Sequence, residues 1–335
     1  MPGDSISQKQ LAPFLIDPLY VARVWGYHDL RPWYDFVVGQ GDGSGAGKGE
    51  PVGEVWLTGD ECRVASGAHA GKTLGEVFSA VPDAMLGAGA PAPQSPLLVK
   101  VIFAREKLSV QVHPDDRLAH KYGQPRGKTE CWYALSAEPG AQVAAGLKPG
   151  VTMDEVRTGI ERGTLEQSLN VLPLAKGDMV FIDAGTVHAI WPGSILLETQ
   201  QNSDITYRMY DYGRPRELHV DKSLEAMRTE TRAGIVPPRV LEDRTVLVDG
   251  EYFRVERIPV EGRRTGASLP GPGEMAGGLS YLFAADGSAR LSGSGFESLV
   301  LPPRGIAAIP ASTPAFTMED LGGLDLIRIS PRWPR

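Results

Sequence analysis

Apolar residues along this chain recur mostly in short runs separated by clusters of turn-forming residues. Runs of this length and spacing are typical of the strands of a β-sandwich or β-barrel. The pattern predicts strands over residues 98–103, 108–113, 178–182, 195–199, 204–210, 253–258, 280–283, 298–301, 306–309 and 324–329.

Helical periodicity is confined to a few short stretches. Apolar residues within 74–81 recur at i, i+3, i+4 and i+7, and Pro82 ends the pattern. Thr152 and Glu155 form a capping-box pattern that predicts the start of a second helix. Asp221 is expected to cap a third. The predicted fold class is therefore all-β with small helical insertions.

Composition supports a turn-rich protein and excludes several classes of partner. Gly and Pro make up 40 + 27 = 67 of 335 residues, or 20%, where about 12% is usual. The net charge of 34 − 41 = −7 provides no general cationic field for nucleic acid or an anionic membrane. No apolar run approaches the roughly 18 residues of a membrane span, and no signal sequence is evident at the N-terminus. We therefore expect a cytoplasmic protein without nucleic-acid or membrane partners.

Two features that suggest ligand sites do not match the corresponding motifs. Cys62 and Cys131 are 69 residues apart and form no CxxC pair, so neither a disulfide framework nor a thiolate zinc site is indicated. The glycine-rich stretch 39–51 lacks the spacing of a phosphate-binding loop, because Asp42 lies five positions before Gly47. We interpret this stretch as a surface loop.

The segment 108–113 carries candidate metal ligands. The two-residue period of a strand places Ser109, Gln111 and His113 on one face, with Leu108, Val110 and Val112 opposite. A single histidine in a strand is more often structural. A glutamine two residues before it, facing the same interior, favours metal coordination because small barrels use their inner face for ligands.

Two further segments supply similar residue types. Lys128 and Glu130 share one side of a run that continues into apolar residues. Residues 177–188 form an apolar strand, a tight turn over 183–185 and then His188. Two histidines, one carboxylate and one amide oxygen would suit a borderline divalent ion such as zinc and leave positions open for substrate.

Several motifs resemble those of a known family. Residues 177–188 resemble the second cupin motif, with Asp183 in place of its usual proline. The segments LSVQVHPDD (108–116), GKTE (127–130) and QQNSDITYRMYDYGR (200–214) together resemble type I mannose-6-phosphate isomerases of the short bacterial form. The resemblance covers roughly residues 14–335 and is densest over 98–214.

This resemblance implies a fold and a set of site residues. It implies tandem cupin-type barrels and one zinc ion per chain. The metal ligands would be Gln111, His113, Glu130 and His188. The catalytic residues would be Arg208, Lys128 and Asp204, and the substrate-binding residues Ser109 and Lys100. Lys100 lies within an apolar run, and a buried lysine requires a partner of opposite charge.

Strand alternation beyond residue 203 places Asp204, Thr206, Arg208 and Tyr210 on one face. A substrate anion would suit the guanidinium of Arg208. A structural ion pair between Arg208 and Asp204 is the alternative. Three candidates stay open for the base that isomerisation requires: Asp204, a metal-bound water and a lysine of lowered pKa.

Domain organisation follows from the distribution of histidines and from the resemblance. We expect a catalytic barrel over 1–230, with a short helical insertion at about 150–170, and a second cupin-like barrel over 231–335. No histidine follows His219, so the second barrel is expected to lack metal ligands.

The leading hypothesis is a zinc-dependent isomerase that interconverts mannose 6-phosphate and fructose 6-phosphate, acting as a monomer or weak homodimer on a small phosphorylated sugar. One alternative is a non-catalytic sugar-phosphate-binding or regulatory cupin. Another is an iron-containing cupin dioxygenase, which Glu130 and Gln111 disfavour because they replace a histidine-rich ligand set.

Overall fold

A computed structural model of the chain describes residues 10–39, 49–87, 90, 93–260, 263–265 and 278–333. Most of the glycine-rich stretch predicted as a loop, residues 40–48, lies outside the described residues. Strands predominate among the elements, and strands and helices are each numbered below in chain order.

The chain forms two compact units, and neither is continuous in sequence. The first unit contains residues 19–56 and 97–238, and the second contains residues 1–18, 57–96 and 239–335. The expected contiguous domains, 1–230 and 231–335, differ from these units. The described residues of 10–18 and 57–96 group with the C-terminal strands because their contacts lie there, such as the pairing of 14–16 with 306–308.

Two antiparallel sheets build the first unit. The larger sheet has the spatial order β13 (Gly234–Ile235), β9 (Met179–Ile182), β6 (Glu130–Ala137), β11 (Ser194–Gln201), β4 (Leu97–Ala104), β3 (Val52–Trp56) and β2 (Leu19–Tyr27). The smaller sheet has the order β12 (Tyr207–Tyr210), β5 (Val110–Val112), β10 (His188–Ile190), β7 (Gln142–Leu147) and β8 (Leu169–Pro173).

The smaller sheet of the first unit has apolar cores on both faces. Between the two sheets, Ile102 and Trp132 pack with Val143 and Ile190 in an inner core. On the opposite face lies an outer core, formed with three helices: α3 (Asp116–Lys121), α4 (Met153–Arg162) and α5 (Val220–Ala226). The helices thus cover one face, while the other faces the barrel interior.

The second unit repeats the two-sheet architecture. Its larger sheet has the order β1 (Phe14–Ile16), β21 (Ile306–Ile309), β18 (Ser280–Asp286), β23 (Asp325–Pro331), β16 (Phe253–Ile258), β15 (Thr245–Asp249) and β14 (Arg239–Val240). Its smaller sheet has the order β17 (Arg263–Thr265), β22 (Phe316–Asp320), β19 (Ala289–Gly293) and β20 (Phe296–Leu301). The short helices α1 (Leu74–Ala80) and α2 (Pro82–Leu86) belong to the same unit. Leu282 and Met318, from opposite sheets, share its core.

These observations confirm the expected fold class, all-β with tandem cupin-type barrels and small helical insertions. The helix predicted within 74–81 is confirmed as α1, which ends at Ala80, and the capping box at Thr152 is confirmed as well. The prediction that Asp221 caps a helix is wrong, because α5 already begins at Val220 and Asp221 lies in its first turn. No helix in the described part of the chain has the length and apolar character that crossing a lipid bilayer requires.

We expect Thr152→Ala to lower the free energy of unfolding by about 1 kcal/mol. The Thr152 hydroxyl accepts a hydrogen bond from the Glu155 N–H at 3.3 Å, and the Thr152 N–H donates to the Glu155 carboxylate at 2.8 Å. Urea denaturation measures the change. The control is Thr158→Ala on the exposed face of α4, which should be neutral or slightly stabilising because alanine favours helix. Equal stability of both variants would contradict the capping argument.

Candidate active site and metal centre

A polar cavity of about 330 Å³ lies inside the barrel of the first unit. It is lined by residues from both sheets. Seven of the nine predicted site residues line it directly: Lys100, Ser109, Gln111, Lys128, Glu130, Asp204 and Arg208. His113 and His188 are buried beside it, in contact with Glu130. The structure therefore brings all nine residues to one place.

Strand β5 gives the cavity its central row of side chains. Gln111 pairs with His188 on one side and with Arg208 on the other. Val110 and Val112 face the outer core, so the predicted alternation holds within the strand. The prediction for Leu108 is wrong: it precedes the strand, lines the cavity and packs in the inner core.

Three buried side chains converge as a candidate metal site. The ligand atoms of His113, Glu130 and His188 all lie within 4.8 Å of one another. The two carboxylate oxygens of Glu130 lie 3.4 Å from His113 Nε2 and 3.5 Å from His188 Nε2, respectively. The Gln111 amide lies 3.2 Å from His188 Nε2. Because rotating the amide by 180° exchanges its oxygen and nitrogen, Gln111 can offer its oxygen to the same point.

The turn before β10 orients the histidines. His188 Nδ1 is 2.9 Å from the Thr186 carbonyl oxygen, an arrangement that directs Nε2 towards Glu130. Gly185 has a φ of +90°, and its N–H donates to the His113 carbonyl at 2.8 Å. A side chain at residue 185 would be strained at this φ. The turn before His188 is therefore hydrogen-bonded to the backbone of His113, which holds the two histidines near each other.

The residues present fit a divalent ion. Burial lowers the pKa of His188 to about 4 and holds the pKa of His113 well below its usual value, with the charge of Lys128 adding to both shifts. Both imidazoles are therefore neutral near pH 7, as metal coordination requires. Glu130 Oε2 is buried between His113 Nε2 at 3.4 Å and Lys128 Nζ at 3.1 Å, and neither contact has hydrogen-bond geometry. Nitrogen and carboxylate donors in this combination suit zinc and similar ions.

A second cluster of buried charges lies on the larger sheet. Lys100 and Glu198 are direct partners on β4 and β11, and Lys100 Nζ lies 3.4 Å from both Glu198 Oε1 and Glu54 Oε1. The other oxygen of Glu54 accepts hydrogen bonds from Arg23 at 2.9 Å and Trp56 at 2.8 Å. The charge partners of Lys100 are thus two carboxylates of the chain itself.

The pKa values in this cluster diverge. Burial alone would raise the pKa of Glu54, but Lys100, Arg23 and the Trp56 N–H bring it down to about 2. Burial and the nearby charge of Glu130 raise the pKa of Glu198 to about 7 despite both lysines. Burial opposes the charge of Lys100, yet Glu198 and Glu54 raise its pKa. Lys100 is therefore a cation at neutral pH.

Arg208 and Asp204 have separate partners. Arg208 donates to the Glu217 carbonyl at 2.8 Å, whereas Asp204 is half-exposed and lies 3.8 Å from Arg23. The alternative of an Arg208–Asp204 ion pair is therefore not realised. Asp204, Thr206 and Arg208 line the cavity as expected. Tyr210 was expected on the same face, but the register shifts between Arg208 and Tyr210, and Tyr210 packs against the outer core.

Four charged residues of the cavity wall were not predicted from the sequence: Arg23, Glu54, Glu198 and Arg216. The sequence contained a signal for Glu54 and Glu198, because each is a charged residue within a mainly apolar strand, as Lys100 is. Arg216 lies in a polar stretch after β12 and carried no comparable signal.

Comparison with known proteins agrees with this arrangement. Residues 16–144 match the family described as phosphomannose isomerase type I, catalytic domain. The Bacillus subtilis protein named "Putative mannose-6-phosphate isomerase YvyI" is 30% identical to this chain over 334 residues. The match covers 92% of this chain and 96% of the relative. The chain belongs to the type I mannose-6-phosphate isomerase family.

Other members of the mannose-6-phosphate isomerase family differ in how much of their length aligns. The Streptococcus mutans enzyme is 39% identical over 177 residues, and the match spans only about half of each chain, 50% of this one and 55% of the relative. The crystal structure of the Bacillus subtilis mannose 6-phosphate isomerase superposes with a TM-score of 0.82 at 29% identity, covering 95% of this chain and 99% of that chain.

We expect Glu54→Gln to lower the free energy of unfolding by about 3 kcal/mol near pH 7, because it removes one carboxylate partner of a buried lysine. The folded-state pKa of about 2 lies below the usual value of 4.5, so this stabilisation is present above pH 4.5 and is lost as the pH falls towards 2. Urea denaturation between pH 7 and pH 3 measures the effect. Glu50→Gln, at an exposed position, is the matched control. If the difference in unfolding free energy between Glu54→Gln and the wild type does not change with pH, the Glu54 carboxylate does not stabilise the fold as a charged partner of Lys100.

Proposed function

We propose that the chain is a zinc-dependent mannose-6-phosphate isomerase that interconverts mannose 6-phosphate and fructose 6-phosphate. The observation that carries the proposal is the convergence of His113, Glu130 and His188 beside a cavity lined with cationic side chains, in a chain of this family. We further propose a cytoplasmic enzyme, monomeric or weakly dimeric.

The metal site supports the reaction class. Gln111, His113, Glu130 and His188 would hold the ion, and a bound divalent cation supplies Lewis-acid stabilisation of the negative oxygen that develops during enolisation. The indole N–H of Trp132 donates a hydrogen bond to the Glu130 carboxylate at 3.1 Å and so restricts the orientation of this proposed ligand. Such outer contacts orient metal ligands.

The cavity side chains suit a polyhydroxylated anion. Lys128 Nζ lies 3.1 Å from both His113 Nε2 and Glu130 Oε2, next to the candidate metal position. Lys100 and Lys128 can donate hydrogen bonds to substrate oxygens, and Ser109 supplies a hydroxyl on the same wall. Arg208 offers a guanidinium for an anionic group.

A base must remove the carbon-bound proton between the two isomers. Lys100 is unsuited to this role, because Glu198 and Glu54 raise its pKa and a protonated ammonium cannot accept a proton. Asp204 lines the cavity and stays a candidate. Glu198 is a further candidate, because it lines the same cavity and because burial and the charge of Glu130 raise its pKa, which makes the carboxylate a stronger base.

We expect the purified protein to exchange the C2 proton of mannose 6-phosphate in D2O while forming fructose 6-phosphate, and to lose both activities on chelation. Re-addition of zinc should restore them. The measurement is proton NMR, with zinc content determined by elemental analysis. His113→Ala should lower metal content and turnover at least about 100-fold, because outer contacts alone shift metal affinity by 10- to 100-fold.

His28→Ala is the matched control, because His28 is exposed and is not among the residues lining the cavity. It should keep full activity and metal content. Tight binding of mannose 6-phosphate without C2 exchange would instead identify a non-catalytic binding protein. Bound iron with oxygen consumption would identify a dioxygenase.

A further inference from the structure

Two arginines contact a single buried carboxylate at one side of the cavity, and a third arginine lies nearby. Arg216 donates Nε and Nη2 to the two oxygens of Asp211, at 2.7 and 2.6 Å. Arg214 Nε lies 3.4 Å from the same carboxylate, which is 3% exposed. Arg208 lies beside them and, with Arg216, lines the cavity. Asp211 therefore fixes the direction of the Arg216 guanidinium by a two-point contact.

This group has more positive than negative charge. Elsewhere on the cavity wall, Arg23, Lys100 and Lys128 each contact a buried carboxylate. Arg208 instead bonds a backbone carbonyl, and its buried Nε has no hydrogen-bond partner among the described residues. Glu217, the other acid near Arg208, is 82% exposed. Three guanidiniums against one buried carboxylate leave an excess of about two positive charges, which matches a phosphate monoester near pH 7.

The smaller sheet of the first unit sets the distance between the arginine group and the candidate metal site. Arg208, Gln111 and His188 occupy one row across β12, β5 and β10. Two strand spacings separate the ends of the row, about 10 Å between backbones. A six-carbon sugar that presents C1 and C2 to the histidine end would extend its sixth carbon towards the arginine end.

We propose that Arg216, held by Asp211, binds the phosphoryl group of the substrate together with Arg208 and thereby selects phosphorylated over unphosphorylated sugars. The inference rests on the proposed isomerase function. Arg216 contacts the ligand, and Asp211 acts as its positioning residue.

Arg216→Gln tests the assignment. Removing one charge-assisted contact should raise the KM for mannose 6-phosphate by about 10- to 100-fold with little change in kcat, since the phosphoryl group does not react. The dissociation constant of inorganic phosphate, measured by calorimetry, should rise by a similar factor. Zinc content should not change. Arg216→Lys keeps the charge but lacks the fork held by Asp211, so it should lie between wild type and Arg216→Gln.

Arg157→Gln, on the exposed face of α4, is the matched control and should leave all values unchanged. Wild-type KM and phosphate affinity in Arg216→Gln would overturn the proposal, and so would a large loss of kcat at unchanged KM. If Arg216→Gln does not fold, Arg216→Lys decides by the same two measurements. If the wild-type protein binds phosphate but does not isomerise the sugar, the isomerase function fails while the phosphate titration still decides the role of Arg216.

Discussion

Charge compensation in the barrel interior of the first unit is the constraint on which the site depends. Lys100 and Lys128 are almost completely buried, and burial of an unpaired ammonium is costly. Glu54, Glu130 and Glu198 supply the opposite charges at 3.1–3.7 Å. The same contacts keep Lys100 protonated and Glu54 ionised at neutral pH, whereas burial and the charge of Glu130 raise the pKa of Glu198. The chemistry available to the cavity follows from this pairing.

The smaller sheet of the first unit connects this charged interior to the rest of the fold. Its inner face carries Gln111, His188 and Arg208, while Val110 and Met209 on its outer face pack with the helices. A one-residue slip of β5 would exchange the polar and apolar faces, so the packing of the outer core holds the register of the ligands. Stability and site geometry are therefore coupled through one sheet.

Much of the candidate site could be predicted because its residues recur at even spacings within β5, β6 and β12 or in the extended segments directly before them, and because their motifs resemble those of a known family. Ser109 and Gln111, Lys128 and Glu130, and Asp204 and Arg208 reach the cavity as their spacing indicated. Prediction failed where the chain departs from regular geometry. Leu108 precedes its strand, the register shift after Arg208 turns Tyr210 away from the cavity, and α5 begins one residue before Asp221. Irregularities of this kind arise from neighbouring strands and leave no periodic signal.

The strand-rich class, the side-chain alternation and the residue types of the candidate metal site follow from the amino-acid sequence alone, because they depend on local chain geometry and on residue chemistry. The tertiary structure is needed to show that Glu54 and Glu198 contact Lys100, that Asp211 contacts Arg216, and that residues 57–96 group with the C-terminal strands. These relations join positions on different strands and loops. Pairing between strands distant in sequence is set by cooperative packing of the whole sheet, which a local pattern does not encode.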